Sequence, residues 1–201
     1  MRTITIALTG ASGMPYAINL LEKLIKADVT IYLLISKAAQ VVLAMETDIK
    51  LNGSNELIDK TLTDYFQAKA GQIKVFSNNE WTAPIASGSN ITEAMVIIPC
   101  TMNTLAAIAN GLADNLIHRS ADVTIKEQKK LILVPRETPY SAIHLKNMLK
   151  LAKTGVLILD ANPGFYHQPK TINDLVDFIV ARILEHLNIK QNLIKPWGLD
   201  K

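Results

Sequence analysis

At 201 residues, 49% hydrophobic and 19% charged, the chain is long enough to bury a core and too apolar to be disordered. Its net charge of +3, with no long basic run, argues against nucleic acid as the main partner. The single cysteine, Cys100, leaves no internal disulfide or cysteine-rich zinc site and points to a reducing, cytoplasmic setting. The N-terminal apolar run is only a strand long and has no cleavage signature. No apolar stretch reaches the ~20 residues of a membrane span.

Residues 3–9 form an apolar, β-rich run that stops at Gly10-Ala11-Ser12-Gly13. The spacing of Tyr16, Leu20, Leu21, Leu24 and Ile25 then predicts a helix over 14–27. Residues 29–35 read as a strand covered on both faces, Ser36 ends it, and 37–45 are helical. A polar loop over 48–55 leads to a helix over 56–70 with Leu57, Ile58, Leu62, Tyr65 and Phe66 on one side. A short strand over 73–76 follows, then an irregular segment over 78–90 and an apolar strand over 94–99. Helical runs over 104–109 and 115–128 are separated by Gly111. A strand over 131–134, a helix over 141–153, a strand over 156–159 and a helix over 172–187 complete the pattern. A polar tail from about 188 runs through Pro196 and Trp197.

Strands alternating with helices predict one α/β domain over 1–201, a three-layer, doubly wound, mostly parallel sheet. Ligands of such sheets bind beyond the carboxyl ends of the strands. The segments placed there are 10–12, Ser36, 101–104, 135–137 and 162–167, each polar or small after an apolar strand. The first strand, small-residue loop and helix suit a phosphate, which would meet backbone N–H groups and a positive helix end. The loop lacks the third glycine of a dinucleotide fingerprint and the Gly-Lys-Ser/Thr end of a Walker loop. A tight turn without a ligand is the alternative.

Thr101, Met102, Asn103 and Thr104 offer hydroxyl, amide and backbone donors at a helix start, or simply cap that helix. Cys100, after a proline at the end of a buried strand, reads as an inert thiol rather than a nucleophile. Only four residues are arginine: Arg2, Arg119, Arg136 and Arg182. Arg136 lies between prolines at a strand end and suits a phosphate, with Glu137 beside it as a general acid or base or as its surface partner. Glu46 reads by default as a surface carboxylate. Arg119 and Lys126, seven apart, share a helix face that is either solvated or anion-binding. Tyr166 and His167 stand in a proline-bounded aromatic loop that binds a ligand or plugs the sheet end. His167 has no companion at metal-ligand spacing, and no metal is expected. Arg182 can reach an anion or a partner subunit. Trp81 can stack on a planar ligand, stabilise a cation or pack on a partner.

Seven segments together resemble the UbiX-type flavin prenyltransferases, flavoproteins of the ubiquinone pathway. They are Thr9-Gly10-Ala11-Ser12-Gly13, Ile35-Ser36-Lys37-Ala38-Ala39, Met45-Glu46-Thr47-Asp48, Ala86-Ser87-Gly88-Ser89, the run from Arg119 to Lys126, Pro135-Arg136-Glu137-Thr138-Pro139 and Pro163-Gly164-Phe165-Tyr166-His167. The resemblance implies transfer of a dimethylallyl group from dimethylallyl monophosphate to N5 and C6 of reduced FMN, without a metal. The product, prenylated FMN, would serve a UbiD-type decarboxylase. By this resemblance Gly10, Ala11, Ser12, Ser36, Thr101 to Thr104 and Arg136 hold FMN. Tyr166 and Arg182 hold the donor phosphate, with Ser87, Gly88, Arg119, Lys126 and Glu137 completing that site from neighbouring subunits. Ser12 and Glu46 relay the ring proton, or the departing phosphate takes it, and Trp81 faces the allylic cation. A dodecamer with active sites between subunits is implied. The alternatives are a flavin-dependent cysteine decarboxylase, which needs an early histidine where the first here is His118, and an FMN carrier.

Overall fold

The computed structural model describes residues 2–195 and 197–198. Six strands form one parallel sheet: β1 (Thr3–Leu8), β2 (Thr30–Ile35), β3 (Ile73–Phe76), β4 (Ala94–Cys100), β5 (Lys130–Pro135) and β6 (Leu157–Ile158). Their order is β3-β2-β1-β4-β5-β6. The helices are α1 (Met14–Lys26), α2 (Lys37–Glu46), α3 (Asn55–Phe66), α4 (Met102–Ala109), α5 (Leu116–Lys126), α6 (Ala142–Ala152) and α7 (Ile172–His186).

Strand alternation divides the interior into two cores. Ile4, Ile6, Leu8, Val96, Ile98, Ile132 and Val134 face α1, α2, α3 and α7. Ala7, Met95, Ile97, Leu131 and Leu133 face α4, α5 and α6. Both faces are covered, so the strands read as continuous apolar runs rather than alternating ones. Each fully buried aliphatic side chain, Ile6 or Leu133 for instance, contributes about 1.5–3 kcal/mol.

The expected three-layer, doubly wound architecture is therefore present, with the switch point between β1 and β4. Boundaries differ where caps decide them. The helix expected from 104 begins at Met102, because the Thr101 hydroxyl accepts from the Thr104 amide and caps it. The helix expected to run to 70 stops at Phe66, where Gln67 turns left-handed at φ 51°. Its apolar side is also narrower than its spacing suggests: Ile58 and Leu62 are buried, whereas Leu57 and Tyr65 are exposed. The segment over 78–90 contains two short 3-10 turns, Pro84–Ala86 and Gly88–Asn90. Beyond α7 the Gln191 side chain accepts from the Leu193 and Ile194 amides and folds the tail back. Of the predicted tail, Pro196 lies outside the described residues.

Candidate active site

The loop Gly10–Gly13 does not present the amino end of α1 to solvent. The Gly13 and Met14 amides both donate to Glu46 Oε2, at 2.9 and 2.8 Å. Pro15 has no N–H, and the Tyr16 amide donates to the Gly13 carbonyl. Every leading donor of α1 is thus taken by the chain itself, and the sequence reading of this helix end as the phosphate site is corrected. Glu46, a surface carboxylate by default, proves to be the anion that this helix end binds.

Burial alone would raise the Glu46 pKa. The Ser12 hydroxyl, the two amides and the charge of Arg136 outweigh it and hold the carboxyl below the ordinary glutamate value. The group is therefore ionised, with Ser12 and Arg136 beside it. Arg136 Nε also donates to the Ser12 carbonyl at 3.2 Å. Gly10 has a packing reason as well: a Cβ there would lie 2.5 Å from the Ala38 Cβ of α2.

The free donors lie elsewhere in the same crevice. The amides of Gly10, Ala11 and Ser12 make no hydrogen bond among the described residues. At α2, Ser36 Oγ accepts from the Ala39 amide, leaving the first two amides of the helix without intrahelical partners. At α4, the Met102 and Asn103 amides are equally open. The Met102 and Ala11 side chains are buried, so their backbone amides are what face the crevice. The Thr104 hydroxyl accepts from Thr101 Oγ1. Open amides, two positive helix ends and the Arg136 guanidinium suit a monophosphate such as that of FMN.

Sequence reading missed two ties around this crevice. Thr9, 2% exposed, has its hydroxyl donating to the Pro99 carbonyl and accepting from the Thr101 amide, both at 2.8 Å. Its signal was a hydroxyl at the end of an apolar strand. Tyr140 donates to Asp160 Oδ1 at 2.5 Å, and no local pattern announces a pair 20 residues apart.

The remaining candidates lie on the outer layers. Arg119 donates to the Ala86 carbonyl at 3.0 Å and pairs with Asp122 at 2.9 Å. It tethers the 84–86 turn and is therefore not freely solvated. Lys126 pairs with Glu127 Oε1 at 2.6 Å. A Cβ on Gly88 would fall 2.1 Å from that same oxygen, so a side chain there would push the Glu127 carboxylate aside. The Ser87 and Ser89 hydroxyls are 3.1 Å apart. Trp81 is half exposed. All of these belong to α5 and the segment against it.

Tyr166 packs edge-on to Phe178 of α7, and Arg182 follows Phe178 by one turn on the same face. Arg182 pairs with Glu185. His167 stacks on Phe178 at 5.2 Å with both ring nitrogens buried and unpartnered among the described residues. Trp197 meets Tyr166 edge-on at 4.8 Å within the chain, beside a cavity of about 690 Å³ lined by His167, Asp174, Asp177 and Leu193. Cys100 is fully buried and burial pushes its thiol pKa up, as expected of an inert thiol.

The Flavoprotein family model matches residues 1–184. The chain is 54% identical over 97% of its length to the flavin prenyltransferase UbiX of Pseudomonas aeruginosa, 93% of which is covered. It is similar in structure to AnUbiX (PadA1), solved in complex with FMN and dimethylallyl pyrophosphate. There the TM-score is 0.87 and the identity 36%, over 98% of this chain and 97% of that one. A dodecameric FMN-dependent UbiX-like decarboxylase from Escherichia coli O157:H7 aligns at TM-score 0.86 and 36% identity, over 98% and 99% of the two chains.

Proposed function

Since the chain belongs to the flavoprotein family and, within it, to the flavin prenyltransferases, we propose that it joins the dimethylallyl group of dimethylallyl monophosphate to N5 and C6 of reduced FMN. The product is prenylated FMN, handed to a UbiD-type decarboxylase, and the setting is the cytoplasm. Among the described residues no helix is long and apolar enough to cross a membrane.

Gly10, Ala11, Ser12, Ser36, Thr101 to Thr104 and Arg136 hold FMN through the open amides and the guanidinium. Bound reduced flavin would supply the electron-rich N5 and C6 that attack the allylic unit, the N5 proton leaving with the phosphate. Breaking the allylic C–O bond releases phosphate, and Lys126, Arg182 and Tyr166 offer it fixed cations and a hydroxyl. Arg119 keeps the Ser87–Gly88 segment in place beside Lys126. Trp81 gives the allylic cation a π face. Ring closure adds one proton to the remaining double bond and removes one from C6, and ionised Glu46, through the Ser12 hydroxyl, would take the proton that leaves C6. Glu137 governs the protonation of the departing phosphate.

The observation that carries this reading is the distribution of the cations. Lys126 belongs to the layer of α4, α5 and α6, and Arg182 to the opposite layer of α1 and α7. The sheet lies between them, which favours a phosphate site that takes the two cations from different chains. A site that needs both is built between chains, in keeping with a homododecamer like that of the UbiX-like neighbour.

Anaerobic incubation with dithionite-reduced FMN and dimethylallyl monophosphate tests it, with mass analysis of the released flavin. A gain of one C5H8 unit is expected. Unmodified flavin, with both ligands shown to bind, overturns the reading.

A further inference from the structure

The ladder between β1 and β4 runs only from Ile4↔Ala94 to Ala7↔Ile97. Beyond it the register of β4 against β5 also shifts, between Ile97 and Cys100. The two strands therefore reach the crevice with no main-chain pairing of that ladder to hold their ends together. They then leave in opposite directions, one to α1 and the other to α4. One residue bridges the gap. The Thr9 amide donates to the Pro99 carbonyl at 3.2 Å, and the Thr9 hydroxyl donates to the same carbonyl at 2.8 Å. That hydroxyl in turn accepts from the Thr101 amide at 2.8 Å. Thr101 carries the cap of α4 on its own hydroxyl.

We propose that Thr9 is a positioning residue that sets the spacing between the Gly10–Ser12 loop and the Thr101–Thr104 helix start, and so fixes the width of the flavin crevice. This rests on the placement of FMN between those segments. Thr9 is at the floor of the crevice, 2% exposed, and acts through its neighbours on either side in the chain. A hydroxyl is required because it must donate in one direction and accept from the other, which no apolar side chain of the same shape does. Without it the part-buried Thr101 amide loses its partner, the Pro99 carbonyl keeps only the Thr9 amide, and the α4 end is free to shift. A displacement of about 1 Å between two phosphate-binding segments costs a bound ligand heavily.

The experiment compares FMN binding by fluorescence quenching, and KM for FMN against kcat, for the wild type, Thr9→Val, Thr9→Ala, Thr9→Ser and Arg136→Ala. Thr9→Val and Thr9→Ala should raise Kd and KM for FMN at least tenfold while kcat at saturating FMN stays within threefold. Thr9→Ser, which restores the hydroxyl, should bind within threefold of wild type. The proposal is overturned if Thr9→Val binds as wild type does, or if Thr9→Ser is as weak as Thr9→Val, which would make the methyl group the cause. Thr9→Ala provides the same reading should the valine variant not fold. Arg136→Ala separates the two levels: if it weakens FMN and Thr9→Val does not, Thr9 alone is misread. If neither variant weakens FMN, the flavin placement itself is wrong, and the role of Thr9 falls with it.

Discussion

The crevice at the carboxyl end of the sheet and the two outer layers differ in how complete they are within one chain. In the crevice, residues distant in sequence are already tied: Glu46 to Gly13 and Met14, Arg136 to Ser12, Thr9 to Thr101. On the outer layers, Lys126 and Arg182 are each held by a carboxylate next to them on their own helix end, and the sheet separates them. On the proposed function, the flavin half of the site is a product of folding, whereas the donor-phosphate half would need assembly. Burial explains the contrast. A crevice at a switch point is framed by two cores that leave its walls no freedom, while an exposed ion pair is worth little and exchanges readily for a better partner.

The sharpest way to break that comparison is to mix chains. Lys126→Ala and Arg182→Ala should each lower kcat by about 100–1000-fold, the loss typical of a single fixed donor to a developing anion. If the two residues meet only between chains, co-assembled mixtures of the two variants should recover at least a tenth of wild-type turnover. Mixtures as inactive as either variant alone would place both residues in one chain's site and erase the distinction.

Glu46→Gln tests the other half. It should lower kcat about 100-fold while FMN binds within threefold, because the change removes a base and keeps an acceptor for the α1 amides. The pH dependence has a fixed sign. A carboxyl held below its ordinary value of 4.5 stabilises the fold fully above that value, and the contribution disappears as pH falls through the lower folded value. Thermal melting of Glu46→Gln against wild type should show a gap that is constant near neutrality and closes only in strong acid.

A smaller effect is expected at Arg136. Arg136→Ala removes charge-assisted hydrogen bonds worth about 1.5–3 kcal/mol, so FMN Kd should rise roughly 10–100-fold by titration. Turnover at saturating FMN should fall far less than in the Lys126 variant. An equal fall in both would mean that Arg136 serves the donor phosphate rather than the flavin.

The same contrast explains what was legible in the sequence. Strands covered on both faces are continuous apolar runs, so β1, β2, β4 and β5 are read directly, and with them the loops at their carboxyl ends. The α4 cap at Thr101 is local and is offered by residue type alone. What escapes is long-range. Glu46 reaches back across 33 residues to Gly13, and Thr9 across 92 to Thr101, and no periodicity encodes either. Gly10 shows the same limit: its glycine suits a phosphate loop by pattern, yet a side chain there is barred by Ala38 of α2. Which helix end is open and which is closed depends on such contacts, so the closed end of α1 was hidden.

The mildest expected change lies where the two halves adjoin. Tyr140, in the loop after β5 that carries Arg136 and Glu137, donates to Asp160, which leads into the loop of Tyr166. The bond couples the loop of Arg136 to the loop of Tyr166, the proposed flavin and donor sides. Tyr140→Phe deletes one hydrogen bond to a charged acceptor, so a loss of about 1.5–3 kcal/mol in stability is expected, with kcat/KM falling by roughly threefold. Burial first, and the Asp160 carboxylate next, push the Tyr140 pKa above its ordinary value of 10.0. A group whose folded pKa is raised stabilises fully below its unfolded value and loses that contribution as pH rises. The stability gap between wild type and Tyr140→Phe should therefore be flat from neutrality to about pH 10 and narrow above it. No gap at neutral pH would show that the ring, which the variant keeps, and not the hydroxyl bond, joins the two loops.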